Sequence, residues 1–418
     1  MSVEGSAAVP AARNPLRTLF LVSMLDVLGF GVLVPLVPYL ANRFGAAPWL
    51  VTAIMGSYSL CQLLAAPLWG RLSDRHGRRP ILMTSLLGAC ASYLLLGLAH
   101  NLWMVVLSRM LAGAMAGNLA AAFAYASDVS TPATRVRSMG MVGAAIGIGF
   151  MLGMPIGGTL AGNDTGAHNL MLPAVVSMGF NLLALLLVKF RLPESRRGAP
   201  AGRAGTTAAG RAPATRSRPL ALLLHRPPLR RIVLSALLVT TAQGVLESIF
   251  ALWALNRFGF GPRTVGYALF VVALGAVLMQ GGLVRVLAPR LGAARLAMYG
   301  SVAYLSGQLA IGLAGTRLPL VGVGLALCGL GMGAFTPSAS ALASGQAQDD
   351  DRGAVLGTYQ SGNSLGRVLG PFMAGPVYAA LGAGSPFILA ACLALPVSLL
   401  LWPLRGSESS RTPTPPGP

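Results

Sequence analysis

The feature that most constrains this chain is a succession of apolar runs, each about 20 residues long, that continues through almost its whole length. A helix rises about 1.5 Å per residue, so such a run crosses the ~30 Å hydrocarbon core of a bilayer. Composition agrees: the 418 residues are 54% hydrophobic and only 10% charged, against about 25% charged in soluble domains. The spans are expected near 18–40, 49–69, 81–99, 103–126, 139–161, 170–190, 231–254, 264–287, 295–315, 318–343, 353–380 and 385–404. The fold class is therefore all-α integral membrane, with twelve transmembrane helices. The first run is too long for a signal-peptide core of about 7–15 residues.

The net charge of +20 suggests nucleic acid at first sight, but its distribution points to a membrane. The arginines gather on alternate inter-helix segments: Arg13 and Arg17, Arg71 to Arg79, Arg135 and Arg137, the centre from Lys189 to Arg231, then Arg285, Arg290, Arg295, Arg352 and Arg405. The other side holds only Arg43, Arg257, Arg263 and Arg317. By the positive-inside rule both termini are cytoplasmic, with anionic lipids as partners and no role for nucleic acid. The expected division is a tail 1–17, a six-helix bundle 18–190, a flexible Arg-rich linker 191–230, a second six-helix bundle 231–405, and a disordered tail 406–418. Cys61, Cys90, Cys328 and Cys392 lie singly in apolar runs, and the four histidines are scattered. Neither pattern holds a metal, and no cofactor is implied.

The two bundles repeat. Arg135 and Arg352, Gly149 and Gly366, Gly153 and Gly370, and Gly158 and Gly375 are each 217 residues apart. Asn42-Arg43-Phe44-Gly45 recurs as Asn256-Arg257-Phe258-Gly259. A constant offset identifies an internal repeat, and parallel repeats about an axis along the membrane normal give pseudo-two-fold bundles.

Between the second and third spans lies a short basic turn, Gly70-Arg71-Leu72-Ser73-Asp74-Arg75-His76-Gly77-Arg78-Arg79-Pro80-Ile81-Leu82. It resembles the signature loop of the major facilitator superfamily in its drug:proton antiporter form, with Gly70, Leu72, Asp74, Arg75, Gly77, Arg78, Arg79 and Leu82 in register. The resemblance implies a transporter working by alternating access, and a cytoplasmic latch in which Asp74, Arg75 and Arg78 hold the outward-facing state. In span five, Gly149, Gly153, Pro155, Gly157 and Gly158 resemble the antiporter motif, with the proline displaced by one residue; Gly370-Pro371 in span eleven is the cleaner copy. Such glycines let helices approach closely, and the resemblance implies that they pack the two halves together.

Ionisable residues inside spans mark function, because a charge near the bilayer centre costs roughly 2.5–3.5 kcal/mol on insertion scales. Four stand out: Asp26, Arg109, Glu247 and Arg367. Asp26 and Arg109 lie about 13 and 19 Å from the inner face at the helical rise, so they could meet or share water as the proton-coupling pair. Glu247 and Arg367 fall at matching depths and could form a second pair. The candidate cavity adds Tyr58, Gln62, Asn118, Gln243, Gln360 and Asn363. An acid reachable from each side in turn binds and releases a proton, and a cationic cargo would compete with it.

The first half is similar to tetracycline-type exporters in Leu25-Asp26-Val27-Leu28-Gly29-Phe30-Gly31, Gln62, Arg109 and Asp128 with Arg135 and Gly140. Ser92-Tyr93 in place of Asp-Tyr, and a ninth span without an acid, argue against tetracycline itself. The resemblance implies a proton-coupled exporter of small hydrophobic, neutral or cationic compounds, monomeric, in a bacterial cytoplasmic membrane. The alternative is a carrier of the same fold for a lysophospholipid, sugar or metabolite. No cluster of nucleophile, base or metal ligand suggests an enzyme.

Overall fold

The computed structural model of the chain describes residues 15–131, 134–163, 171–195, 219–348 and 351–404. Every regular element among them is helical. The first half comprises α1 (Pro15–Leu33), α2 (Val37–Arg43), α3 (Pro48–His76), α4 (Arg78–Gly97), α5 (Leu102–Ala114), α6 (Asn118–Asp128), α7 (Arg135–Ala161) and α8 (Met171–Arg191). The second comprises α9 (Pro219–His225), α10 (Pro227–Phe258), α11 (Pro262–Leu278), a π-helical stretch Met279–Leu283, α12 (Val284–Leu291), α13 (Ala293–Leu313), α14 (Leu318–Gly345), α15 (Arg352–Leu381), α16 (Ser385–Cys392) and α17 (Ala394–Leu401).

Proline and glycine punctuate these helices. Proline stands in the first two positions of α3, α10, α11, α14 and α16, where its missing N–H costs nothing. Glycines in positive φ close α3, α7, α10, α12 and α15.

Ten helices among the described residues are long and apolar enough to span a bilayer, counting Pro15–Arg43, Leu102–Asp128 and Pro262–Leu291 as single spans. The other two expected spans fall short. α15 has the length, but it carries Gln360, Asn363 and Arg367 as well as Pro371 and Pro376. The last span is broken at Leu393 between α16 and α17. Two further expectations change. The basic turn after span two is mostly helix, because α3 runs on to His76 and Gly77 alone separates it from α4. The expected linker is helical from Pro219 through α9 and into α10; residues 196–218 and the expected C-terminal tail lie outside the described residues, as does the expected N-terminal tail up to residue 14, while its residues 15–17 already belong to α1.

The glycine repeat has a direct packing expression. Gly149, Gly153 and Gly157 of α7 press on the backbone of α1, and Gly366 and Gly370 of α15 press on α10. A methyl added at Gly153 would lie 2.6 Å from the Leu28 carbonyl oxygen. These contacts stay inside one half, which corrects the expectation that the stripe joins the halves. The partners 217 residues apart that do join them are Gly158, against Pro262 and Arg263 of α11, and Gly375, against Trp49 and Thr52 of α3.

Other links between halves lie at the same end. The Tyr39 hydroxyl donates to the Phe260 carbonyl at 2.7 Å, and the Arg263 N–H donates to the Gly162 carbonyl at 3.0 Å. These residues sit at the face opposite the α3–α4 junction. Toward the junction face, Leu64 and Leu68 of α3 and Leu278 and Val286 of α11–α12 are exposed. On that face Arg226 pairs with Asp351 and donates to the Gln346 carbonyl at 3.1 Å, tying the start of α10 to the α14–α15 connection.

Candidate functional site

Where the halves part, they enclose a cavity of about 170 Å³. Asp26 and Phe30 of α1, Tyr58 and Gln62 of α3, Ser85 and Tyr93 of α4, Arg109 of α5 and Phe150 of α7 form one wall. Glu247 and Ser248 of α10 with Arg367 and Pro371 of α15 form the other. Phe30 joins an aromatic group, 4.8 Å from Tyr58 and 5.7 Å from Phe150 between ring centroids. The site thus combines apolar and aromatic side chains with a set of polar and charged ones, which together could bury and orient a small molecule.

All four intramembrane charges reach this cavity, but they do not pair as the sequence suggests. The Asp26 carboxylate accepts from the side-chain amide of Asn118. Glu247 accepts from Gln243 at 2.7 Å, one helical turn away. Neither arginine takes an acid. Arg109 is 2% exposed, and its Nε and Nη2 have no hydrogen-bond partner among the described residues. Arg367 is exposed to the cavity space and forms no hydrogen bond or ion pair with a described residue. The Tyr58 hydroxyl lies within electrostatic reach of Asp26 and of both arginines.

The position of Asn118 follows from a break that periodicity did not reveal. Span four is not continuous: α5 ends at Ala114 and α6 begins at Asn118. Met115 and Ala116 of the interruption line the cavity. Non-helical backbone at this depth requires partners or a polar void. Trp69 supplies one, its indole donating to the Ala114 carbonyl at 2.6 Å. The Asn118 side-chain Oδ1 accepts from the Leu119 N–H at 2.9 Å, which leaves the side-chain amide nitrogen to face Asp26. Only Gly113 and Gly117 near the break hinted at it: the first lies against the Tyr58 backbone and the second against the Trp69 ring.

Of the remaining cavity candidates, Tyr58, Gln62 and Asn118 line the void, and Gln243 lies behind Glu247. Gln360 and Asn363 are not on its wall. Gln360 is exposed, and Asn363 hydrogen-bonds Tyr359. Both occur where α15 nears the junction face, beyond the point at which the halves enclose space. Phe30, Tyr93, Phe150 and Ser248 were missed, because an aromatic or serine in an apolar helix reads the same toward a cavity or a core.

At the α3–α4 junction the expected gating residues form a cluster within the first half. Arg78 donates to Asp74 at 2.7 Å, to Asp128 at 3.0 Å and to Ser73 at 3.0 Å. Arg79 reaches the Lys189 carbonyl at 2.5 Å. Gly70 and Arg75 extend α3. Glu194, just beyond α8, was not anticipated. Its carboxylate accepts the backbone N–H groups of Arg78 and Arg79 at 2.9 and 3.1 Å, capping α4. Gly77 is required there twice over: its φ is +96°, and an added side chain would run into that carboxylate.

Among the described residues no group of three or more metal-ligating side chains occurs. The major facilitator superfamily profile matches residues 19–317 and 249–417. The mouse major facilitator superfamily domain-containing protein 10 is 30% identical over 94% of this chain and 93% of its own length. The class H tetracycline resistance protein of Pasteurella multocida is 27% identical over 86% of this chain and 88% of its own. The crystal structure of the human organic anion transporter MFSD10 (TETRAN) superposes with a TM-score of 0.69 and 26% identity, covering 94% of this chain and all of that one. A cavity between two repeated helical halves, the signature junction at one end of the bundle and these matches lead to one conclusion: the chain belongs to the major facilitator superfamily of multi-pass membrane transporters.

Proposed function

We propose that this transporter exports small hydrophobic compounds in exchange for protons, and that Asp26 binds the transported proton. The observation that carries the reading is the placement of Asp26: a carboxylate on the cavity wall whose side-chain partner is the neutral amide of Asn118 rather than an arginine. An amide can donate to an ionised acid and, after a small rotation, to the carbonyl oxygen of a protonated one, so it favours the ionised form far less than a cation would. An arginine would hold the acid ionised.

The arginine-rich junction face is taken as cytoplasmic by the positive-inside rule. The contacts between halves then lie on the outer side, and the conformation is open inward. Alternating access follows if the halves rock about those outer contacts and close over the cavity from below. A bacterial cytoplasmic membrane, cytoplasmic termini and a monomeric chain in contact with anionic lipids complete the reading.

The test uses the purified full chain in proteoliposomes carrying an internal pH dye. Adding a hydrophobic substrate outside should drive proton movement with the native protein. Asp26→Asn should remove that signal while the protein still elutes as a folded monomer. Proton movement at the native rate in Asp26→Asn would overturn the assignment.

A further inference from the structure

Both acids of the cavity already have a donor, and neither arginine has an acceptor. Asn118 serves Asp26 and Gln243 serves Glu247. Arg109 is buried with two nitrogens unpartnered, and Arg367 faces the same void without an ion pair to a described residue. Apart from the Ser85 hydroxyl on the wall and the Gln243 Oε1 behind Glu247, the unmet hydrogen-bonding capacity of the site is that of cationic donors. A buried guanidinium without an acceptor is costly to keep, and its planar fork matches a carboxylate.

We infer that the cavity carries an anion subsite in which the carboxylate of an amphipathic organic acid is held between Arg109 of the first half and Arg367 of the second. The inference rests on reading the cavity as the cargo site, but not on the proton exchange assigned to Asp26. It reverses the charge expected of the cargo from the sequence. The rest of the wall suits such a molecule. Phe30, Tyr58 and Phe150 offer faces for an aromatic body, and Tyr58 shares the cavity wall with both cations. Because the arginines belong to different halves, one carboxylate bridging them links the two bodies that must move together for the cavity to close.

The probe is 2-naphthoate, with 2-naphthamide as its uncharged counterpart, in equilibrium binding to the purified full chain in detergent. The native protein should bind the acid at least about tenfold more tightly than the amide, the difference a charge-assisted bond commonly supplies. Arg367→Gln should erase that preference. Arg367 lies exposed in the cavity, so this variant keeps the fold even if Arg109→Gln does not. Asp26→Asn should keep the preference while losing proton coupling, so the two readings fail separately. Equal affinity for acid and amide, or native preference in Arg367→Gln, would overturn the subsite. Displacement of naphthoate by equimolar sodium chloride would make it a site for an inorganic ion and sink the organic-acid assignment.

Discussion

Arg109 is the residue whose surroundings differ most from what its sequence position suggests. It lies at the right depth to meet Asp26, yet Asn118 occupies that carboxylate and two guanidinium nitrogens remain unpartnered among the described residues. A buried unpaired donor costs roughly 1–3 kcal/mol, more when charged. Arg109→Met should therefore raise the melting temperature in detergent, while abolishing acid binding and transport. A lower melting temperature in that variant would mean that Arg109 holds the fold rather than the cargo. All four charges were legible from the sequence, because an ionisable residue in an apolar run stands out. Their pairing was not, since depth along a helix says nothing of the direction a side chain takes. Nor does it reveal that Asn118 and Gln243, named as cavity candidates, take the two acids as hydrogen-bond partners.

Among the elements, long apolar helices were easy to read and their interruptions were not. The break between α5 and α6 and the π-helical stretch at Met279–Leu283 fall inside continuous apolar runs. Hydropathy cannot separate a bent helix from a straight one. The α3–α4 junction shows the opposite case. Its residues were recognised as a unit, but the part played by Glu194 depends on a contact 116 residues distant in sequence. Within this cluster Arg78 has two carboxylate partners, and the Asp74 side chain is 66% exposed. Asp74→Asn should then leave the cluster assembled through Asp128 and Glu194. Expected is a clear fall in transport with little change in cargo affinity, read by comparing uptake rates with equilibrium binding. A large loss of affinity would place Asp74 at the cargo site and end the latch reading.

With Asp26 as the proposed proton site, cargo charge decides which way the proton goes for the whole molecule. The exchange proposed above holds for neutral or cationic cargo, not for an organic anion. A cationic cargo competes with a proton for the surroundings of Asp26, and the two then move in opposite directions. An anion beside Asp26 is repelled by the ionised acid and tolerated by the neutral one, so anion and proton bind together. In proteoliposomes a naphthoate gradient should carry protons in its own direction, whereas a lipophilic cation of similar size should drive them the opposite way. Identical proton direction for both would show that charge at Asp26 does not set the coupling.

The pads at Gly158 and Gly375 bear on one further matter. They occupy equivalent places in the two repeats, each seating a helix of one half against backbone of the other. A rigid body resting on two matched bearings has a single easy axis, the line through both. Enlarging one seat would tilt that axis and leave the mouth unevenly shut, whereas enlarging both alike would lift the lid without skewing it.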